Sequence, residues 1–172
     1  MLQNQLVDVV GLGVVNRKGS RPYGKKITVR AQAGPHDPLQ ELIVLGNIDD
    51  VLRMHIQFAF QSVRLIVSIP PLGTRRTGPS ASAAVALAIL SLATGRPVQP
   101  GVCVTGKVTT TGLIRRIGQL KEKASAAARA NLTKMAFPSE NKKQFRKLDS
   151  WIRNQLSQET LKDVNSLFTL LI

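Results

Sequence analysis

The sequence predicts a mixed α/β domain. Three features carry that expectation: short aliphatic runs bounded by glycine and proline, an uncharged apolar stretch from Ala81 to Ala93, and an alanine-rich helical segment from Gln119 to Ala130. The 172 residues suit a single domain spanning 1–172, and their 43% hydrophobic content marks a chain that folds around a core. Only 4% of the residues are aromatic, so aliphatic side chains must make that core.

The elements follow in order. Val9 to Val15 reads as a strand bent or bulged by Gly11 and Gly13. A basic loop, Asn16 to Lys26, leads to strands at Ile27 to Ala33 and Glu41 to Leu45. Asp49 is placed to cap a helix running to about Val63, since Leu52, Ile56, Ala59 and Val63 recur at helical spacing. Leu65 to Ile69 is a short buried strand ended by Pro70-Pro71, and a loop from Leu72 to Gly78 follows. The helix from Ser80 to about Ala93 has no charge on any face, so it should be central and surrounded, and Gly95 should stop it. Strands are expected at Gly101 to Thr105 and Leu113 to Ile117, around a turn at Thr109 to Gly112. After the Gln119 to Ala130 helix come a strand at Leu132 to Phe137 and tail helices near Glu140 to Lys147, Asp149 to Leu156 and Leu161 to Leu171.

Charge and composition narrow the partners. The net charge is +14, with basic residues spread from Arg17-Lys18 and Lys25-Lys26 through Arg115-Arg116 to Lys142-Lys143 and Arg146-Lys147. Such a surface favours nucleic acid or an acidic partner, although the few aromatics do not alternate with the charges as a base-stacking platform would require. The single cysteine, Cys103, sits in an apolar run and reads as a buried thiol in a reducing, cytoplasmic setting. His36 and His55 stand apart without other ligands at metal spacing, so no metal is expected. The segment Met1 to Val10 lacks the pattern of a signal peptide, and the longest uncharged run is too short to span a bilayer. No phosphate-binding Gly-x-x-x-x-Gly-Lys-Ser/Thr loop occurs in these residues, so neither an ATPase nor a cofactor is expected of them.

Two segments carry chemistry. Gly78-Pro79-Ser80 opens the apolar helix, and Ile117-Gly118-Gln119-Leu120-Lys121-Glu122-Lys123 opens the alanine-rich one. A serine hydroxyl becomes a nucleophile only when a base takes its proton, and a lysine is that base only when its amine is neutral, which burial favours. Ala124, Ala126 and Ala127 offer Lys123 a small apolar setting, while Lys121, two residues away, points elsewhere. Free N–H groups at a helix start suit an oxyanion, Pro79 stiffens the entry and Gly78 permits close approach. The residues alone favour a plainer reading, a capping serine and a solvated lysine.

The order of the motifs changes that balance. Gly78-Pro79-Ser80-Ala81-Ser82, Thr94-Gly95-Arg96-Pro97-Val98, Thr105-Gly106-Lys107, Ile117 to Lys123 and Phe137-Pro138-Ser139-Glu140-Asn141-Lys142 follow one another at the spacing of the Lon protease proteolytic domain, which the chain resembles from about Val9 to Leu171. It differs from the family pattern at Lys107, where a glutamate is usual, and at Gln119, where a glycine is usual. The resemblance implies a small mixed sheet with a buried central helix after the nucleophile and several surrounding helices. It implies peptide hydrolysis through an acyl-enzyme, with Ser80 as nucleophile, Lys123 as general base, Thr105 orienting the lysine, and Gly78, Pro79 and Ala81 at the oxyanion and substrate site. It further implies a polypeptide substrate and, as partners, a second copy of the chain or an ATPase domain. The alternative left open by the charge is a non-proteolytic scaffold or nucleic-acid-binding domain of the same family.

Overall fold

A computed structural model describes residues 6–33, 42–45, 65–68 and 79–172. The expected helix from Asp49 to Val63, His36, His55, the Leu72 to Gly78 loop and Gly78 itself lie outside the described residues. Nine strands are described: β1 (Leu6–Val15), β2 (Tyr23–Ala33), β3 (Leu42–Leu45), β4 (Leu65–Ser68), β5 (Val102–Val104), β6 (Lys107–Val108), β7 (Ile114–Arg115), β8 (Lys134–Pro138) and β9 (Ser157–Leu161). Four α-helices are described: α1 (Ser82–Thr94), α2 (Leu120–Arg129), α3 (Lys142–Arg146) and α4 (Ser150–Gln155).

The α/β expectation holds, in a mixed sheet of seven strands ordered β3-β4-β2-β1-β5-β8-β9, with β6 and β7 as a separate pair. β1 pairs antiparallel with β2 along its whole length, from Leu6 opposite Gln32 to Val15 opposite Tyr23. On its other side it runs parallel to β5, and β5, β8 and β9 continue the parallel half. Strand β2 therefore starts earlier than the sequence suggests: Tyr23 to Lys26 are strand, not loop, because the ladder to β1 supplies their partners.

Strand periodicity divides the core in two. Val102, Val104 and Ala136 join the cluster around α1, together with Val9, Val29 and Ala31. Their neighbours Cys103, Met135 and Phe137 join the cluster around α2, with Leu12, Ala124 and Ala127. The uncharged helix α1 is enclosed as expected: Ser82 to Ile89, Ser91 and Leu92 are all buried. Its C-terminus turns at Gly95 with φ 65°, the left-handed stop that glycine adopts without Cβ strain.

The tail differs from expectation. Ser157 to Leu161 form an edge strand parallel to β8, and the last apolar stretch is a 3-10 helix, Val164–Leu170. Asp163 caps that helix by accepting the Ser166 N–H at 3.1 Å. Ser-Gln-Glu-Thr carries none of the aliphatic alternation that marks a strand, because only Leu161 of that segment is fully buried.

Helix α2 presses closely on β2. A Cβ on Gly24 would overlap the Glu122 main-chain carbonyl and lie 2.9 Å from the Ala126 methyl group. Backbone cannot yield as a side-chain tip does, so Gly24→Ala is expected to destabilise the fold by about 2 kcal/mol or more. Denaturant unfolding checks this, and an unchanged midpoint would mean that the two elements do not meet as described.

Candidate active site

The serine arrives on a braced turn. Pro79–Ala81 form one 3-10 turn immediately before α1, so Ser80 precedes the α-helix instead of beginning it. The Ser80 carbonyl accepts the Gly106 N–H at 2.9 Å and the Thr105 hydroxyl at 3.4 Å. The Gly106 carbonyl in turn accepts the Ala83 N–H at 3.1 Å. Gly106 has to be small there, since a Cβ would stand 2.6 Å from Ile114 Cγ2. Sequence reasoning missed the third brace, Ser82. Its buried hydroxyl donates to the Pro79 carbonyl at 2.6 Å and accepts the Val108 N–H at 2.8 Å. An ordinary serine in an apolar run gives no sign of that role; only the fold brings Val108 to it.

The lysine arrives on α2. Gln119 enters that helix in the left-handed region with φ 56°, and the Lys123 N–H closes the first turn on the Gln119 carbonyl at 3.2 Å. Lys123 is only 4% exposed, whereas Lys121 is exposed, as the helical directions require. Among the described residues no carboxylate pairs with the Lys123 amine. Burial lowers its pKa from 10.5 to about 8, with the nearby Glu122 charge opposing the shift.

Asn141 locks the approach to α2. Fully buried, it accepts the Ile117 N–H at 3.1 Å and donates to the Ile117 carbonyl at 3.0 Å, gripping one residue from both sides. Beside it, Glu140 accepts the Arg116 N–H at 2.8 Å and pairs with Arg115 at 2.9 Å. The Ser139-Glu140-Asn141 turn stands out in the sequence, but its contact with Ile117 does not.

These elements enclose an open cleft of about 310 Å³. Ser80 and Lys123 both line it, with Pro79, Lys107, Arg116 and Gln119. Thr105, expected to orient the lysine, is fully buried, and its hydroxyl instead donates to the Ser80 carbonyl. The Ala81 side chain is buried in the α1 core. Of the residues singled out from the sequence, Ser80, Lys123 and Pro79 thus share the cleft, while Thr105 and Ala81 support it from within.

The mixed α/β fold thus delivers a serine turn and a buried lysine to one cleft. The sequence profile of the Lon protease (S16) C-terminal proteolytic domain matches residues 53–172, and the chain belongs to that family. It is 39% identical to the human mitochondrial Lon protease homolog over 74% of this chain, and 30% identical to the Arabidopsis thaliana mitochondrial Lon protease homolog 1 over 94%. The Lon protease of Citrifermentans bemidjiense is 30% identical over 75% of the chain. The chain spans 15%, 19% and 18% of the length of these three relatives.

The buried amine has a cost that can be measured. Its folded pKa lies below the unfolded one, so between about pH 8 and 10.5 the unfolded chain holds more protons and stability rises with pH. Below about pH 8 the whole penalty applies, on the order of 3 kcal/mol at the upper limit. Lys123→Met is therefore expected to stabilise the protein by about 1–3 kcal/mol at pH 7, with the gain shrinking toward pH 10.5. Urea unfolding at the two pH values checks it, and a destabilised Met variant at pH 7 would contradict the description.

Proposed function

We propose that the chain is a serine endopeptidase in which Ser80 is the nucleophile and Lys123 the general base. One observation carries the reading above all: a lysine amine held out of water, with no carboxylate partner among the described residues, lines the same cleft as a serine on a braced turn. A scaffold would gain nothing from the stability such an amine removes.

The neutral Lys123 amine takes the Ser80 proton as the hydroxyl oxygen attacks a peptide carbonyl. The tetrahedral oxyanion is met in this reading by the main-chain N–H groups of Ser80 and of Gly78, which lies outside the described residues. Collapse expels the amine of the departing peptide, which receives the proton from Lys123, and leaves an acyl-serine. Water then attacks that ester, with Lys123 again accepting and returning a proton. Thr105 contributes by fixing the Ser80 main chain through its hydroxyl. No cofactor takes part in these steps.

Polypeptide is the substrate class, and the 172 residues act in this reading as one proteolytic unit. A second copy of the chain, or an ATPase domain, is the partner that would present substrate. The single cysteine, Cys103, is free and buried, which suits a reducing compartment such as the cytoplasm.

Casein tests the proposal. The wild-type protein is expected to cleave it, and both Ser80→Ala and Lys123→Ala to lose at least about a hundredfold in rate. Activity that persists in Ser80→Ala would sink the assignment. The base must be neutral in the free enzyme, so kcat/KM should rise about tenfold per pH unit below about pH 8 and level off above it. A profile with its midpoint near pH 6 would point to a different base.

A further inference from the structure

The cleft that holds Ser80 and Lys123 has a one-signed wall. Among the described residues that line it, the ionisable side chains are Lys107, Arg116 and Lys123, and none is Asp or Glu. Lys107 begins β6, directly after the Gly106 that holds the Ser80 carbonyl. Arg116 directly follows β7, at the start of the segment that leads into α2. Lys107 pairs in register with Arg115, and Arg116 follows directly, so the two cations of the β6–β7 ladder have a third beside them. Glu140 pairs with the Arg115 side chain and meets only the main-chain N–H of Arg116. Lys107 and Arg116 form no ion pair among the described residues, and Lys107 is half-buried.

We infer that Lys107 and Arg116 form a subsite for an acidic side chain, so that the peptidase favours substrates with glutamate or aspartate among the residues flanking the scissile bond. The inference rests on the proposed function and adds its substrate preference. Two cations without an ion-pair partner among the described residues, on one side of an open cleft, repel basic peptide and attract acidic peptide, and the half-buried setting of Lys107 limits screening. The geometry also says where the acid does not go. A carboxylate against the Lys123 amine would stabilise the ammonium and oppose its role as base. The acidic side chain is thus held on the β6–β7 wall, as binding energy common to ground and transition states, and the preference belongs in KM more than in kcat.

The test uses internally quenched peptides built on a casein site cleaved by the wild-type protein. Each residue flanking the scissile bond is made Glu, Gln or Lys in turn. At one position or more, Glu is expected to exceed Gln by about fivefold in kcat/KM, and Gln to exceed Lys, with the gap narrowing at about 0.5 M salt. Lys107→Glu combined with Arg116→Glu should reverse the order to favour Lys. Should that pair of changes fail to fold, Arg116→Gln, at an exposed site, is expected to reduce the Glu advantage by itself. Equal rates for the three peptides at every position, or a preference unchanged by the variants, overturns the inference and leaves the peptidase reading standing. If the wild-type protein cleaves no casein, that reading fails, and anisotropy of Ser80→Ala protein with labelled peptides of one fixed casein sequence, carrying Glu, Gln or Lys at a single position, judges the subsite alone. Tighter binding of the Glu peptide supports the acidic subsite; equal binding of all three overturns it.

Discussion

One amine kept out of water organises this chain. To bury Lys123, α2 must lie hard against the sheet, which demands glycine at position 24 of β2, and must pack Ala124 and Ala127 inward where larger side chains would hold it off. The amine then loses solvation that no ion pair among the described residues restores, the Glu122 charge offsetting only part of the loss, and its pKa falls to about 8. Folding ordinarily avoids such an arrangement, since an unpaired buried cation is among the more destabilising features a core can contain. Here the surrounding elements hold it in place: Asn141 clamps Ile117 just before the helix, and the Leu120 side chain anchors the first turn in the core.

The serine side is built on the opposite principle. Ser80 sits on a turn whose Pro79 and Ser80 carbonyls accept bonds from Ser82 nearby and from Thr105 and Gly106 far along the chain. Gly106, Thr105 and Ser82 together stitch the turn to the strand beside it. The result is a hydroxyl carried on a braced backbone in a cleft that a lysine of lowered pKa also lines. Rigidity on one side and desolvation on the other are the two requirements of an amine-assisted nucleophile.

Much of this was legible in the sequence because it has local causes. The uncharged face of α1, the glycine stop at Gly95, the alanine-rich α2 and the aliphatic strands β5 and β8 follow from composition and period. The separate fates of Lys121 and Lys123 follow from helical geometry alone. What stayed hidden depends on distant partners. β9 is a strand because β8 offers it a ladder, not because Ser157 to Thr160 favour extension. Ser82 and Asn141 act through Val108 and Ile117, far along the chain, and neither residue type announces such a contact. The depth of Lys123 was likewise suggested by its alanines but decided by the approach of β2.

Gln119 shows how local strain and the site are joined. A residue other than glycine at φ 56° costs roughly 1 kcal/mol, which explains why glycine is the residue expected from the family pattern. The left-handed kink lets the chain leave the Arg116–Gly118 segment and enter α2 at once, so that Lys123 falls one turn inside the helix and lines the cleft. Helix entry by a straight extended residue would rotate that first turn, and with a period near 100° per residue even a modest rotation would carry the amine toward solvent. Strain at Gln119 and the burial of Lys123 are therefore two parts of a single constraint. The same bend keeps Gln119 among the residues lining the cleft, with Arg116, so the conformation that buries the Lys123 amine also shapes the surface of the cleft.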